Sequence, residues 1–184
     1  MGKKKIERSD KLSDAFLILG SEYYAIARYS ASVSYTPIYA TMFHHAIEML
    51  IKGYLIQSCT SDELKKVGHN LHKLWMMFKA KTGDTALLQY DATVSYLDRT
   101  EILRYPDAIV DQGFILNVRL GIPEPLDLPE MSNPPQYFVN VSDIDNIALA
   151  IFTACSVNQR LYFRNTPTEF KNTLPLSFVS RETT

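Results

Sequence analysis

The chain has 184 residues, 46% hydrophobic and 11% aromatic, which is ample for a packed core and too apolar for a disordered chain. A net charge of −1 with a pI near 6.4 excludes a global positive field, so any RNA binding has to come from a local basic patch. The two cysteines, Cys59 and Cys155, are far apart and in no metal-ligand spacing, which suits a reducing cytoplasm and excludes a disulfide framework.

One domain over 1–184 is the default at this length, with its core at about 10–165. Residues 1–9 read as a solvated arm. Their basic start is followed by Glu7, Arg8, Ser9 and Asp10 rather than an apolar segment. The longest strongly apolar run, 147–157, is too short to span a bilayer, so the expectation is a cytoplasmic protein with no membrane contact. From about Asp10 to Ser30, Phe16, Leu17, Leu19, Tyr23, Tyr24, Ile26 and Ala27 fall at helical spacing, with Asp14, Ser21, Glu22 and Arg28 opposite.

The stretch 36–58 predicts the central helix, with Thr36 as N-cap and Pro37 at its first position. At about 100° per residue its polar side chains, Thr41, His44, His45, Glu48 and Lys52, share one narrow sector. Apolar residues fill the rest, so other helices wrap it and the polar stripe faces solvent, a cleft or a partner.

A short helix follows at 61–67, capped by Ser61 and stopped by Gly68. Asn70 caps the next, with Leu71, Leu74, Trp75 and Phe78 on its apolar side and Gly83 at its end. Asp84 caps a further helix that ends before Pro106. Five prolines between Pro123 and Pro135 make 107–136 incompatible with a long helix. Within 107–141 the alternation of Phe114, Leu116, Val118 and Leu120, and then 137–141, permits short strands, a β-hairpin inserted before the last helix. Ser142 opens that helix, with Asp145 three residues on, close to a capping box. Arg160 and Arg164 fall on its less apolar side, and Asn158 and Gln159 project toward its apolar arc. Residues 166–184 read as an extended tail.

The segment His44-His45-Ala46-Ile47-Glu48-Met49-Leu50-Ile51-Lys52-Gly53-Tyr54-Leu55 resembles the signature of the HEPN domain family. Gly68-His69-Asn70-Leu71-His72-Lys73-Leu74 is similar to that family's "HNL" helix start, and Arg104-Tyr105-Pro106-Asp107 to its "RYP" segment. Order and spacing agree over about 10–165. The resemblance implies an all-α, up-and-down antiparallel bundle of four to five helices, usually a homodimer. It also implies a setting in prokaryotic defence, toxin–antitoxin or regulatory systems, with a nucleotidyltransferase-like protein as one class of partner. Nuclease members of the family carry an Arg, then four to six intervening residues, then a His. Here the corresponding positions after Arg160 are Asn165, Thr166 and Pro167, and those after Arg164 are Glu169, Phe170 and Lys171. The nuclease motif is absent.

Three functional readings stand. The first is a non-catalytic HEPN-like dimer that binds RNA, a nucleotide or a protein partner, with His44, His45, Glu48, Lys52, Asn158 and Arg160 as the binding residues. The second is a divergent metal-independent endoribonuclease using His44 or His69 with Arg160 or Arg164; it requires a guanidinium and an imidazole to converge on one groove. The third is a structural dimer that engages a protein through loop 107–136. The plain account of the His44–Glu48–Lys52 row is a surface ion pair beside a histidine, which is commonplace on helices. Four histidines, His44, His45, His69 and His72, supply no compact ligand spacing, so neither metal nor cofactor is expected.

Overall fold

The computed structural model describes residues 2–35, 37–119 and 135–179. The chain is mostly helical, with one two-stranded sheet among the described residues. α1 runs over Gly2–Ser32 and takes in the residues read from sequence as a solvated arm. Lys, Glu and Arg propagate a helix at little cost once its nucleus exists downstream, and Lys11 bonds Glu7 one turn back at 2.9 Å.

α2 (Ile38–Leu55) is the central helix, apolar on most sides. Pro37 is its N-cap rather than its first helical residue, and the Thr36 cap lies outside the described residues. α1 and α2 pack antiparallel. Ser9 donates to the Ile56 carbonyl at 3.0 Å and Ser13 to the Gly53 carbonyl at 2.7 Å, while Gly20 meets Leu50 and Ala46 farther along. The buried stripe of α1 is small where it crosses α2, with Ser13, Gly20, Ser21 and Ala27, which lets the two backbones come close.

α3 (Ser61–Val67) is capped by Thr60, not Ser61, in a reciprocal box with Glu63. α4 (Leu71–Thr82) is capped by Asn70 and ends at Gly83, whose φ of +67° is left-handed. The stretch after Asp84 is broken where one helix is expected: a 3-10 segment Thr85–Tyr90, α5 (Asp91–Arg99), and a second 3-10 segment Thr100–Arg104. Asp91 explains the first break. Its carboxylate takes Trp75 Nε1 at 2.7 Å and Lys79 Nζ at 2.6 Å, so the start of α5 is tied to α4.

α6 (Pro106–Gln112) occupies the start of the expected loop. β1 (Ile115–Arg119) and β2 (Gln136–Asn140) both form, but they pair in parallel, Ile115 opposite Gln136 and Arg119 opposite Asn140. The β-hairpin expectation is therefore corrected: a tight turn joins only antiparallel neighbours. Pro123, Pro125, Pro129 and Pro134 lie outside the described residues, as does most of the loop proposed to engage a partner.

α7 (Val141–Ala154) is capped by Asn140, whose side chain accepts from the Asp143 N–H, and not by Ser142. Asp145 has another role: it binds Arg28 Nη1 at 2.6 Å and accepts the Tyr24 hydroxyl. The last helix stops at Ala154, and Ser156 turns the chain at a φ of +55°. Two short helices follow, α8 (Gln159–Tyr162) and α9 (Thr168–Lys171). Residues 166–179 are not an extended tail. Phe178 is fully buried, stacks on Phe163 at 5.3 Å, and meets Tyr24 and Phe152 edge-on. Arg28 Nε also donates to the Thr173 carbonyl and fixes this return. No helix among the described residues is long and apolar enough to cross a membrane.

The α1–α2 crossing makes a specific demand. A Cβ at Gly20 would stand 2.9 Å from Leu50 Cγ and 3.1 Å from the Ala46 carbonyl oxygen, whereas at Gly53 it would meet only side-chain atoms, of Leu17 and Phe16. Alanine favours a helix by about 1 kcal/mol over glycine, and overpacking costs about 1–3 kcal/mol. Gly20→Ala is expected to lower the unfolding midpoint clearly, and Gly53→Ala much less, because a leucine tip yields and a helix backbone does not. Equal midpoints for the two variants in denaturant titrations would show that the helices simply move apart.

Candidate functional site: a carboxylate knot on the central helix

The polar stripe of α2 is covered on three sides. Residues 68–69, between α3 and α4, close one side. The end of α5 and the 3-10 segment Thr100–Arg104 close the second, and Tyr23 of α1 lies against the third, its ring 5.6 Å from that of His45. Glu48 has no solvent exposure, and His44 and Lys52 are also buried. The surface ion-pair account of this row fails for that reason. An isolated charge does not survive full burial, so the neighbourhood has to supply partners.

It supplies three donors. Lys52 Nζ lies 2.6 Å from Glu48 Oε1, His69 Nδ1 at 3.0 and 3.1 Å from the two carboxylate oxygens, and His45 Nδ1 at 3.4 Å from Oε2. Burial alone would push the Glu48 carboxyl up, but hydrogen bonds from His45, Lys52 and His69, with the Lys52 charge, outweigh it and hold it down at about 2. Lys52 is fixed in turn by the Gly68 carbonyl at 2.8 Å. Gly68 sits at a φ of +66°, a conformation that favours glycine.

His44 is a different kind of residue from its neighbour. Its Nδ1 meets the Leu97 carbonyl at 3.1 Å and its Nε2 the His69 carbonyl at 3.1 Å. Both partners are backbone carbonyls, so both ring nitrogens are engaged within the chain. Glu48 Oε2 and Glu101 Oε2 lie 3.7 and 3.9 Å from Nε2. His44 therefore pins the α5 end and the 68–69 turn onto α2, with no nitrogen left for a substrate.

The outward edge of the knot is open. The His69 side chain is 55% exposed and that of Arg104 is 30% exposed. Arg104 Nη1 approaches His45 Nε2 at 3.4 Å, Nη2 bonds Glu101 at 2.7 Å, and the guanidinium lies over the exposed Tyr105 ring at 5.5 Å. Two open clefts, of about 560 and 590 Å³, lie elsewhere: one between the start of α1 and α3, the other between α4 and α7.

The sequence-derived site is thus partly assembled and partly dispersed. His44, His45, Glu48, Lys52 and His69 come together. Asn158 and Arg160 do not join them: Asn158 is exposed and caps α8, accepting from the Arg160 N–H at 3.1 Å. The expectation that Asn158 and Gln159 face an apolar arc fails because α7 has already ended; Gln159 instead donates to the Ser177 carbonyl at 2.9 Å. Arg160 and Arg164 are exposed and touch none of the histidines among the described contacts. His72 is exposed on α4, outside the knot. Glu101 and the carbonyls of Gly68, His69 and Leu97 carry no signal in the sequence, since any residue offers a carbonyl. Arg104 and Tyr105 did carry one, through the RYP segment. Three ligand-type side chains, His45, Glu48 and His69, present donor atoms within 4.8 Å of one another. Cys155 is buried, which pushes its thiol up to about 12, so it is no nucleophile at neutral pH.

No family model, no curated protein and no solved structure matches this chain.

The Glu48 carboxyl falls from its ordinary 4.5 to about 2, so its folded form is favoured as the anion. A depressed carboxyl contributes stability that is complete above its unfolded value and is lost as the pH falls through its folded value. The shift corresponds to about 3 kcal/mol as an order of magnitude. Glu48→Gln is expected to cost its largest amount, about 3 kcal/mol, near pH 7. The gap to the wild type should narrow steadily between pH 4.5 and 2, read by thermal melts across that range. A gap independent of pH would place the cost in shape rather than charge.

Proposed function

We propose that this chain is a HEPN-like helical-bundle module that assembles as a dimer and binds RNA or a nucleotide without cleaving it. The observation that carries the reading is the meeting of three sequence segments. The His44–Leu55 and Gly68–Leu74 stretches meet at one carboxylate, Glu48, and the Arg104–Asp107 stretch adjoins them through the contact of Arg104 with His45; each of the three resembles the family. Antiparallel packing of α1 on α2, with α4, α5 and α7 also against α2, fits an up-and-down bundle.

The non-catalytic part rests on commitment of groups. His44, Glu48 and Lys52 are buried and fully engaged inside the chain, and Arg160 and Arg164 stand apart from every histidine. The binding part rests on the outward edge. The Arg104 guanidinium offers N–H donors for a phosphate beside the exposed His69, and the exposed Tyr105 ring offers a face for a base. The dimer part draws support from Ile18, Leu19 and Ile26, all exposed on one helix, α1. A prokaryotic defence, toxin–antitoxin or regulatory role, with a nucleotidyltransferase-like partner, follows from the resemblance.

A second reading has one observation in its favour. Arg104 and His45 stand 3.4 Å apart, a guanidinium and an imidazole at one surface. A divergent metal-independent endoribonuclease would use this pair with His69, in place of His44 with Arg160 or Arg164.

Fluorescence anisotropy with short single-stranded RNA separates the readings. The wild type is expected to bind in a salt-dependent way, Arg104→Ala to weaken binding about tenfold, and Arg160→Ala to leave it unchanged. The RNA should remain intact in the presence of a chelator. Cleavage that Arg104→Ala abolishes would favour the enzyme, and an affinity indifferent to Arg104→Ala would remove this surface from the reading. In sedimentation, the wild type is expected to run as a dimer and Ile26→Glu as a monomer; an unaffected dimer would place the interface off α1.

A further inference from the structure

We infer that His45, Glu48 and His69 form a seat for one divalent transition-metal ion, with zinc the best match to the donor set. This stands whether or not the RNA-binding reading holds, because it rests on the three side chains alone. Two come from adjacent turns of α2 and the third from the turn before α4, so the spacing of 3 and then 21 residues hides the set in the sequence.

The geometry is close to what the ion needs. Zinc bonds of about 2.0–2.2 Å to imidazole nitrogen and carboxylate oxygen put neighbouring ligand atoms about 3.3 Å apart in a tetrahedron. Glu48 Oε2 stands 3.4 Å from His45 Nδ1 and 3.1 Å from His69 Nδ1, and all three ligand atoms lie within 4.8 Å of one another. Two imidazoles and one carboxylate also make a donor set that zinc accepts readily, and they leave a fourth position open. Since the His69 side chain is more than half exposed, that position faces outward, where water or a phosphate oxygen can occupy it.

The supports behind the ligands are already in place. Lys52 holds Glu48 Oε1 at 2.6 Å and is held by Gly68, which leaves Oε2 for the ion. His44 bonds the His69 carbonyl at 3.1 Å and so fixes the backbone that carries the third ligand. Outer partners of this kind orient metal ligands and sharpen affinity. The protons also balance. In the ion-free form each imidazole donates Nδ1–H to Glu48; with the ion bound, a neutral ring carries its proton on Nε2 instead, and no proton need leave. This shift has a consequence for Arg104. Its Nη1 faces His45 Nε2 at 3.4 Å, a contact that requires a lone pair there. Once Nε2 carries a proton the two donors repel, and Arg104, exposed and bonded to Glu101 at 2.7 Å, has to move off. The ion and the Arg104–His45 contact are mutually exclusive.

The test is zinc titration of the chelator-stripped full chain by calorimetry, paired with the visible spectrum of the cobalt-loaded protein. The expected result is about one ion per chain and a cobalt spectrum of low coordination number with nitrogen and oxygen ligands. His45→Ala and His69→Ala are each expected to weaken zinc binding at least about tenfold, while His72→Ala binds as the wild type does. Arg104→Ala should bind zinc as tightly as the wild type or more tightly, although the same variant is expected to bind RNA about tenfold more weakly in the preceding test. Failure of one proposal is thereby distinguishable from failure of the other. The cobalt spectrum of the unaltered protein keeps the test valid if a ligand variant fails to fold. Wild-type zinc affinity no higher than that of the His45→Ala/His69→Ala double variant, or an octahedral cobalt spectrum, would overturn the inference.

Discussion

A charged carboxylate with no access to water sits midway along a largely apolar helix, and the surrounding structure is arranged to satisfy it. Glu48 is reached by Lys52 from its own helix, by His45 one turn back, and by His69 from a different part of the chain. Taking an ion out of water costs several kcal/mol even after relaxation, and only well-placed partners offset that. The partners here are themselves held: Lys52 by Gly68, and the His69 backbone by His44. Among the described residues no buried side-chain nitrogen or oxygen is left without a partner. A buried network satisfied to this degree fixes which turn packs on which helix, since a register shift would leave a charge unpaired.

That constraint accounts for the arrangement around α2. The helix cannot rotate, because its polar stripe must face residues 68–69 and the end of α5. Its opposite side is then given to α1, and the approach there is close enough for Gly20 to sit against the Leu50 side chain and the Ala46 carbonyl. A second ionic contact does the same work farther out. Asp145 of α7 joins Arg28 and Tyr24 of α1, and Arg28 carries the bond on to the C-terminal return. With the return in place, Phe178 closes the aromatic group of Tyr24, Phe152 and Phe163. One ionic contact thus orders the middle of the chain, and the other orders its end.

The same knot has two faces with different chemistry. Inward, every group is committed and the contribution is to stability. Outward, His69, Arg104 and Tyr105 remain exposed around it. Groups held from beneath and open above are pre-organised for a ligand, because the entropy of ordering them has already been lost on folding. This is the physical basis of the proposed recognition at the outer edge and of the proposed metal seat at the boundary, where Glu48 Oε2 meets two imidazole nitrogens.

The sequence by itself determined the helices whose signals are local. The 3.6-residue period of α2, the Asn70 cap, the left-handed Gly83 stop, the alternating residues of β1 and β2, and the apolar face of α7 are all consequences of neighbouring residues. The stripe of His44, His45, Glu48 and Lys52 was legible for the same reason, and the family resemblance added His69 and Arg104 in the right order. Only the tertiary structure decided whether that stripe is a solvated row or a buried knot, because burial depends on what covers a helix and not on the helix. It also decided that the strands pair in parallel, that α7 ends at Ala154 and separates Arg160 from the histidines, and that the end of the chain folds back through Phe178. Each of these is a contact between residues distant in the chain, where spacing along the sequence carries no distance information.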